Sequence, residues 1–156
     1  MLHTKIVDSK DKKLSINDAE RFISSVEFGA SIFFTGTVRN LNNNKSVVGI
    51  TYDSHNELVI KSFEEIYKEA DKKLNIQDKA VFIEHAKGYL NLGEMSIIIA
   101  VACKHRDQAY VLSRYIIEEI KKIYTKIENK NFNFLNEIKY FTYHMLRKII
   151  NSYKVR

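Results

Sequence analysis

Residues Met95–Cys103 read MSIIIAVAC and are followed directly by the charged segment Lys104-His105-Arg106-Asp107. Apolar residues on both alternating faces of a strand are typical of the centre of a sheet. A second apolar run, Ala30–Thr35, leads in the same way into Gly36-Thr37-Val38-Arg39-Asn40. The sequence therefore predicts two buried strands that end in cationic side chains, which a rigid scaffold would hold within reach of an anionic ligand.

Helical and extended segments alternate around these two strands. The further predicted elements are a short strand at Ile6-Val7, a helix capped by Ser15 and ended by Gly29, a strand over Val47–Ser54, a helix over Glu57–Leu74, a strand over Lys79–His85, a turn bracketed by Gly88 and Gly93, a helix capped by Asp107 and a last helix over Leu135–Tyr153. This mixture predicts a single α+β domain over residues 1–156, with a mixed or antiparallel sheet flanked by helices and an extra C-terminal helix.

Length, charge and cysteine content limit the class of protein. At 156 residues the chain is long enough for one real core, and its net charge of +6 favours acidic partners: nucleic acid, a phosphorylated metabolite or an acidic protein. The single cysteine excludes an internal disulfide and favours a reducing compartment. The first residues lack the apolar block of a signal peptide, and no apolar run reaches the roughly 18 residues of a membrane span, so we expect a cytoplasmic protein with no membrane partner.

Two groups of cations are candidate ligands for an anion. His105 and Arg106 lie where a central strand meets a helix start, and Arg39 has a parallel context after Gly36. Lys121 and Lys126 follow on the next helix, five residues apart, and would converge on one site only if that helix ends or bends between them. An ordinary surface arginine at a helix start and a solvated basic helix face are the alternative interpretations.

Other kinds of chemistry find little support in the sequence. The histidines at 3, 55, 85, 105 and 144 show no paired metal-ligand spacing, so we expect no metal site. There is no phosphate-binding glycine loop, and we expect no cofactor. His85 is expected to pack or to form a hydrogen bond at a strand end. Cys103 is either a buried inert thiol or a thiol whose pKa is lowered by Lys104 and His105.

An ordered set of short motifs runs from about Ile6 to Lys126. The motifs are Gly29-Ala30, Phe34 and Gly36-Thr37-Val38-Arg39-Asn40; Ile50-Thr51-Tyr52 with the helix Ser62–Ala70; His85, Gly88, Leu90 and Gly93-Glu94; and His105-Arg106. In order and in spacing this set resembles the catalytic (large) subunit family of molybdopterin synthase.

The resemblance implies a fold, an activity and partners. It implies an α/β-hammerhead-like domain and a sulfurtransferase that converts cyclic pyranopterin monophosphate into molybdopterin, in the biosynthesis of the molybdenum cofactor. The sulfur comes from the C-terminal thiocarboxylate of a small ubiquitin-like subunit, and the large subunit forms a homodimer within a heterotetramer. By the same resemblance Arg39, with His105 and Arg106 from the neighbouring protomer, binds substrate, Thr37 and Val38 line the pocket through their backbone, and Lys121 is catalytic.

The chain departs from the family on its C-terminal side. Seven residues after Lys121, where the family has a second lysine, stands Glu128; a two-residue deletion would place Lys126 there, and on that basis Lys126 is assigned as the second catalytic lysine. The helical tail over residues 129–156 does not match. Two alternatives stay open: a non-catalytic paralogue that acts as an assembly protein, and a basic nucleic-acid-binding domain, against which the absence of an aromatic-basic RNA motif counts.

Overall fold

The computed structural model describes residues 1–42 and 45–132, and regular elements cover most of these two ranges. In chain order they are β1 (Leu2–Asp8), α1 (Ile16–Ile23), β2 (Ala30–Thr37), β3 (Leu41–Asn42), β4 (Lys45–Ser46), β5 (Gly49–Tyr52), α2 (Asn56–Leu74), β6 (Lys79–Asn91), β7 (Met95–Cys103) and α3 (Arg106–Phe132). The alternation of strands and helices confirms the predicted α+β class.

The main sheet has the strand order β1-β6-β7-β2, with β5 paired to the far end of β6. β7 is antiparallel both to β6 and to β2, whereas β1 is parallel to β6, so the sheet is mixed. The apolar run of β7 therefore lies between two other strands, as predicted. Nearly all of its side chains are buried, because helices cover both faces at this position.

The core has two halves, one on each face of the sheet. Odd-numbered residues of β7, such as Ile99 and Val101, pack with α2 and α3. Even-numbered residues, such as Ile98 and Ala100, pack with α1. The period-two pattern of a strand thus divides one apolar run between two helical layers.

Several predicted boundaries were wrong. β1 is longer than Ile6-Val7, β5 is shorter than Val47–Ser54, and β6 continues to Asn91, which places Gly88 inside the strand rather than at a turn. Gly88 has a φ of 97°, and the turn between β6 and β7 contains Gly93, with a φ of 79°. Both glycines adopt a backbone conformation that other residues rarely adopt.

The helix ends also differ from the prediction. α1 starts after Ser15, whose hydroxyl accepts a hydrogen bond from the Asp18 N–H, but it ends at Ile23 with Ser24 as its cap, not at Gly29. Asp107 lies in the first turn of α3 instead of capping the helix. At this position its negative charge still stabilises the helix through the dipole at the N-terminus. Residues 129–132 belong to α3, and the predicted helix over Leu135–Tyr153 lies outside the described residues.

After β2, the short strands β3 and β4 pair antiparallel with each other. Residues 43 and 44 between them lie outside the described ranges. Among the described helices, none is long and apolar enough to cross a membrane.

Gly29 brings the start of β2 against the end of β7. Its N–H donates to the Cys103 carbonyl at 3.1 Å, and a Cβ at this position would lie 2.7 Å from the backbone oxygen of Lys104. The backbone oxygen of Lys104 has little room to move, because it directly follows a paired strand. This explains why the residue before Ala30 is a glycine.

We expect Gly29→Ala to lower the free energy of unfolding by about 1–3 kcal/mol, the usual cost of overpacking. Urea unfolding followed by circular dichroism measures this change. Ser31→Ala, at an exposed position of the same strand, serves as the control and should stay within about 0.5 kcal/mol of the wild type. Equal stability of the two variants would show that the Gly29 contact does not constrain the fold.

Candidate functional site

Arg39 stands just beyond the end of β2, on a backbone that two hydrogen bonds fix. The Val38 N–H donates to the Glu94 carbonyl at 3.0 Å, and the Gly93 N–H donates to the Val38 carbonyl at 2.8 Å. The Val38 side chain is buried in the α1 half of the core, while Thr37 and Arg39 on either side are exposed. Burial of Val38 therefore anchors a short exposed segment that carries the guanidinium.

The same hydrogen bonds bear on the predicted role of Val38. Both backbone polar groups of Val38 are already paired with the β6–β7 turn, so a phosphate could bind its N–H only by displacing the Glu94 carbonyl. At Thr37 the β2–β7 register shifts by a bulge between Gly36 and Thr37. This bulge redirects the chain where the strand leaves the sheet.

An ion pair that the sequence analysis did not single out lies beside this segment. The Glu94 carboxylate accepts from Lys13 Nζ at 2.8 Å and from the Asn91 backbone N–H at 2.8 Å. These partners, the Lys13 ammonium first, lower the pKa of Glu94 to about 2. Glu94 therefore stays ionised and fixes the turn that holds Val38. The Gly93-Glu94 motif was the only signal for it in the sequence.

His105 and Arg106 occupy the junction of β7 and α3, and both are exposed. The His105 carbonyl accepts from the Ala109 N–H at 3.2 Å, and Arg106 Nε lies 3.9 Å from Asp107 Oδ1. The side chains thus project from a rigid corner between a central strand and a helix start.

In one copy of the chain, Arg39 and His105 do not come together. β2 and β7 run antiparallel over their full length, with Ala30 opposite Cys103 and Thr37 opposite Met95. The two cationic segments therefore lie at opposite ends of this strand pair, about 25 Å apart at 3.3 Å per residue.

Lys121 lies towards the Arg39 end of the sheet. α3 starts at Arg106, packs along β7 and β2, and rises 1.5 Å per residue, so Lys121 is about 22 Å from the helix start. Its ammonium is exposed and lies 3.8 Å from Glu118, one turn earlier. Topology thus places Lys121 and Arg39 at one end of the molecule, and His105 and Arg106 at the other.

Lys126 belongs to the same helix, which is continuous from Arg106 to Phe132; its side chain lies outside the described part of the structure. Five residues in an α-helix correspond to about 140° of rotation, so this backbone does not place Lys126 on the Lys121 face. Lys122, which pairs with Glu119 at 2.7 Å, is the lysine four residues before Lys126.

Two other groups named in the sequence analysis are buried. The Cys103 thiol is inaccessible, and burial raises its pKa, as expected for the inert alternative. His85 lies inside β6 rather than at a strand end, with Nδ1 2.7 Å from the Ala86 carbonyl oxygen and its ring 5.0 Å from that of Tyr52. Among the side chains that the structure describes, no cluster of His, Cys, Asp and Glu could hold a metal ion.

Burial lowers the pKa of His85 to about 4, which predicts acid sensitivity. An unfolded histidine titrates near 6.5, so below that pH the unfolded state binds more protons and the folded state loses stability as the pH falls towards 4. We expect the free energy of unfolding to drop by about 2 kcal/mol between pH 7 and pH 5 on account of this residue.

Urea unfolding at the two pH values measures this drop. His85→Gln, which keeps a hydrogen-bonding side chain but does not titrate, is the matched variant and should remove most of the difference. In the fold the Glu94 carboxyl stays ionised over this range, and its protonation in the unfolded chain, near pH 4.5, adds only about 0.2 kcal/mol at pH 5. An identical pH dependence in the variant would contradict the assignment.

Comparison with known proteins identifies the family of this chain. The family described as MoaE protein matches residues 9–123. A molybdopterin synthase catalytic subunit from Pyrococcus abyssi is 33% identical over 113 residues, 72% of this chain and 75% of the relative. One from Thermoplasma volcanium is 34% identical over 116 residues, covering 74% of this chain and 83% of the relative. The chain belongs to the MoaE family.

Solved structures agree on the fold. Molybdopterin synthase from Staphylococcus aureus superposes with a TM-score of 0.67 at 26% identity, over 75% of this chain and 82% of the other. A complex of subunits 1 and 2 of molybdopterin-converting factor from Helicobacter pylori superposes with a TM-score of 0.60 at 24% identity, over 76% and 77%. The sequence-based recognition of the family is thereby confirmed, whereas the individual site residues stay predictions.

Proposed function

We propose that this chain is the sulfur-transferring subunit that converts cyclic pyranopterin monophosphate into molybdopterin. The observation that carries the proposal is the family match over residues 9–123, the range that also contains Arg39, His105, Arg106 and Lys121. All four of these cationic side chains are exposed, and none is buried in the core. The proposal includes a single domain for residues 1–156 and a cytoplasmic location.

The charge of the reactants favours this arrangement. The pterin substrate carries a phosphate, and the sulfur donor is a thiocarboxylate at the C-terminus of a small ubiquitin-like subunit. Two anions repel each other, so fixed cations lower the free energy of bringing them together. Arg39 offers bidentate donors for the phosphate, and the hydrogen-bonded Val38 backbone keeps that guanidinium in place.

Lys121 has the central role in this proposal. At the Arg39 end of the molecule, its ammonium would orient or protonate the substrate at the reacting carbon. Alternatively, as the neutral amine, it would attack the acyl carbon after that carbon's sulfur has bonded to the substrate, so that an amide to lysine forms, the C–S bond breaks, the sulfur stays on the substrate as a thiolate and the amine nitrogen loses a proton. Lys126 would be the second lysine of the site, and Thr37 would contribute the exposed wall next to Arg39. No cysteine of the chain is needed, because the small subunit supplies the sulfur.

The proposal requires two copies of the chain. Since His105 and Arg106 lie at the opposite end of β2 and β7 from Arg39, one pocket can contain all three only if a second copy contributes the histidine and arginine. This is the arrangement that the family resemblance implies, with a small subunit bound at each end of the dimer in a heterotetramer.

Reconstitution tests the function directly. The purified chain is mixed with a thiocarboxylated small subunit and cyclic pyranopterin monophosphate, and molybdopterin is measured by fluorescence of its oxidised derivative. We expect product that depends on all three components. A chain that binds the small subunit without forming product would instead be the assembly paralogue. Binding of RNA with a steep salt dependence and no product would favour the nucleic-acid alternative.

A further inference from the structure

The β6–β7 turn, residues 91–94, is held by hydrogen bonds rather than by packing. Asn91, Leu92 and Gly93 are exposed, and a Cβ added at Gly93 would meet nothing within 4 Å. The Glu94 carboxylate accepts from the Asn91 backbone N–H at 2.8 Å and from Asn91 Nδ2 at 3.2 Å, while the Glu94 N–H donates to the Asn91 carbonyl at 3.2 Å. Two of these three bonds need the Glu94 side chain, so this carboxylate sets the shape of the turn.

The same turn fixes the chain directly before Arg39. Regular pairing of β2 with β7 is shifted by the bulge at the end of β2. Beyond the bulge, Val38 bonds to the turn through both of its backbone groups: its N–H lies 3.0 Å from the Glu94 carbonyl, and its carbonyl lies 2.8 Å from the Gly93 N–H. Because the peptide unit between Val38 and Arg39 is planar and rigid, a shift of the turn moves the Cα of Arg39 with it.

On its other side, Arg39 is followed by the β3–β4 hairpin. The Asn40 carbonyl accepts from the Val47 N–H at 2.9 Å, which closes this hairpin. Among the backbone hydrogen bonds of the described residues, those of Val38 are therefore the last that join the segment to β6 and β7 before the chain reaches Arg39. The position of the guanidinium relative to the sheet thus depends on the β6–β7 turn.

We propose that Glu94 is a positioning residue for capture of the substrate phosphate, acting through the β6–β7 turn and Val38 on the guanidinium of Arg39. The inference rests on the proposed function, because it assigns a role to a residue behind the same phosphate site. Glu94 does not touch the substrate. Its contribution is to hold a bidentate donor in one orientation, and a contact of this kind tolerates little displacement.

A carboxylate behind a phosphate site requires a compensating cation, and Lys13 supplies it. An unpaired Glu94 would repel an incoming phosphate. Lys13, in the connection between β1 and α1, places its Nζ 2.8 Å from Glu94 Oε1. The next residue, Leu14, is buried in the α1 half of the core and anchors the backbone that carries Lys13. Lys13 therefore has an electrostatic role, distinct from the geometric role of Glu94.

Steady-state kinetics of the full-length chain with the thiocarboxylated small subunit test the role of Glu94. We expect Glu94→Ala to raise the KM for cyclic pyranopterin monophosphate roughly 10-fold, while kcat stays within about 2-fold of the wild type. Glu94→Gln keeps an oxygen that accepts from Asn91 and should recover most of this loss. Asp18→Ala is the matched control and should leave KM unchanged, because Asp18 pairs with Lys12 of the same connection but belongs to the first turn of α1.

A double-mutant cycle shows whether Glu94 acts through Arg39. In the Arg39→Ala chain the guanidinium is absent, so adding Glu94→Ala should lower kcat/KM by less than about 2-fold. A further loss of roughly 10-fold in the double variant would overturn the proposal, because Glu94 would then contribute independently of Arg39. An unchanged KM in Glu94→Ala alone would overturn it as well.

Lys13→Met separates charge from geometry, because it leaves the hydrogen bonds of the turn in place and removes the compensating cation. We expect KM to rise about 3-fold at low salt and the effect to disappear at high salt. Combining Lys13→Met with Glu94→Gln removes both charges and should also cancel the effect. A rise in KM that neither high salt nor Glu94→Gln reverses would contradict the electrostatic role of Lys13.

Hydrogen exchange followed by NMR provides a readout that does not depend on activity. The Val38 amide should exchange at least about 10-fold faster in Glu94→Ala than in the wild type, relative to the amide of Val101 in the middle of β7, which reports any global loss of stability. Equal relative protection in both chains would show that Glu94 does not hold this segment. A wild-type chain that forms no molybdopterin contradicts the proposed function, and the Val38 exchange then still decides whether Glu94 positions Arg39.

Discussion

Replacing Lys121 by alanine should reduce molybdopterin formation by 100-fold or more while leaving the fold, the dimer and small-subunit binding unchanged. A side chain that transfers a proton or takes an acyl group at the reacting centre typically contributes factors of 100 to 10,000. Lys121 is exposed, and its contact with Glu118 is a surface pair one turn apart, so its removal costs little stability.

The neighbouring lysine offers the matched control. Lys122 has a similar exposure and a similar acidic partner, Glu119, but points about 100° further around α3. Lys122→Ala should therefore retain most of the activity. Single-turnover assays with saturating thiocarboxylated subunit separate a chemical defect from a binding defect. Near-normal turnover of Lys121→Ala would remove this residue from the mechanism.

Two impaired variants should recover activity when they are combined in one dimer. Arg39→Ala should mainly weaken capture of the phosphate-bearing substrate, raising its KM by roughly 10- to 100-fold, as expected for loss of a charge-assisted contact. His105→Ala should damage the same pocket from the other protomer. A mixed dimer then has one pocket with both defects and one pocket with none.

Random exchange of the two variants makes about half of the dimers mixed, so about a quarter of wild-type activity should return at low substrate concentration. Co-expression with different affinity tags and tandem purification confirms that mixed dimers form. Mixed dimers no more active than their parent variants would mean that Arg39 and His105 do not share a pocket across two protomers. By contrast, mixed dimers of Arg39→Ala and Lys121→Ala should recover no activity. One protomer supplies both Arg39 and Lys121 to a pocket, so each pocket of such a dimer keeps one defect.

Whether an element could be predicted from the sequence depends on whether local or distant residues form its interactions. β7 was predictable because an apolar run on both faces is typical of one environment, the middle of a covered sheet. The start of α1 was predictable because the Ser15 hydroxyl and the Asp18 N–H form a local cap. Gly29 was misassigned, because its reason for being glycine is the Lys104 carbonyl, 75 residues away along the chain.

For the candidate site, too, some features could be predicted from the sequence and others only from the structure. Motif order pointed to Arg39, His105 and Lys121, yet only the antiparallel β2–β7 register shows that the first two lie at opposite ends of one copy. The Lys13–Glu94 pair has no local pattern, since its partners come from a loop and a distant turn. The separation of Lys121 and Lys126 follows from an uninterrupted α3, which the sequence left open.

The order of strands along the chain has a consequence for synthesis in the cell. β6 and β7 are neighbours in sequence and can form a hairpin early, whereas β2 must wait for β7. During translation, β2 leaves the ribosome roughly 60 residues before its partner, several seconds at ordinary elongation rates. Through that interval an uncharged, phenylalanine-rich segment has no strand to pair with. We expect the nascent chain to be most prone to aggregation before residue 103 has left the ribosome.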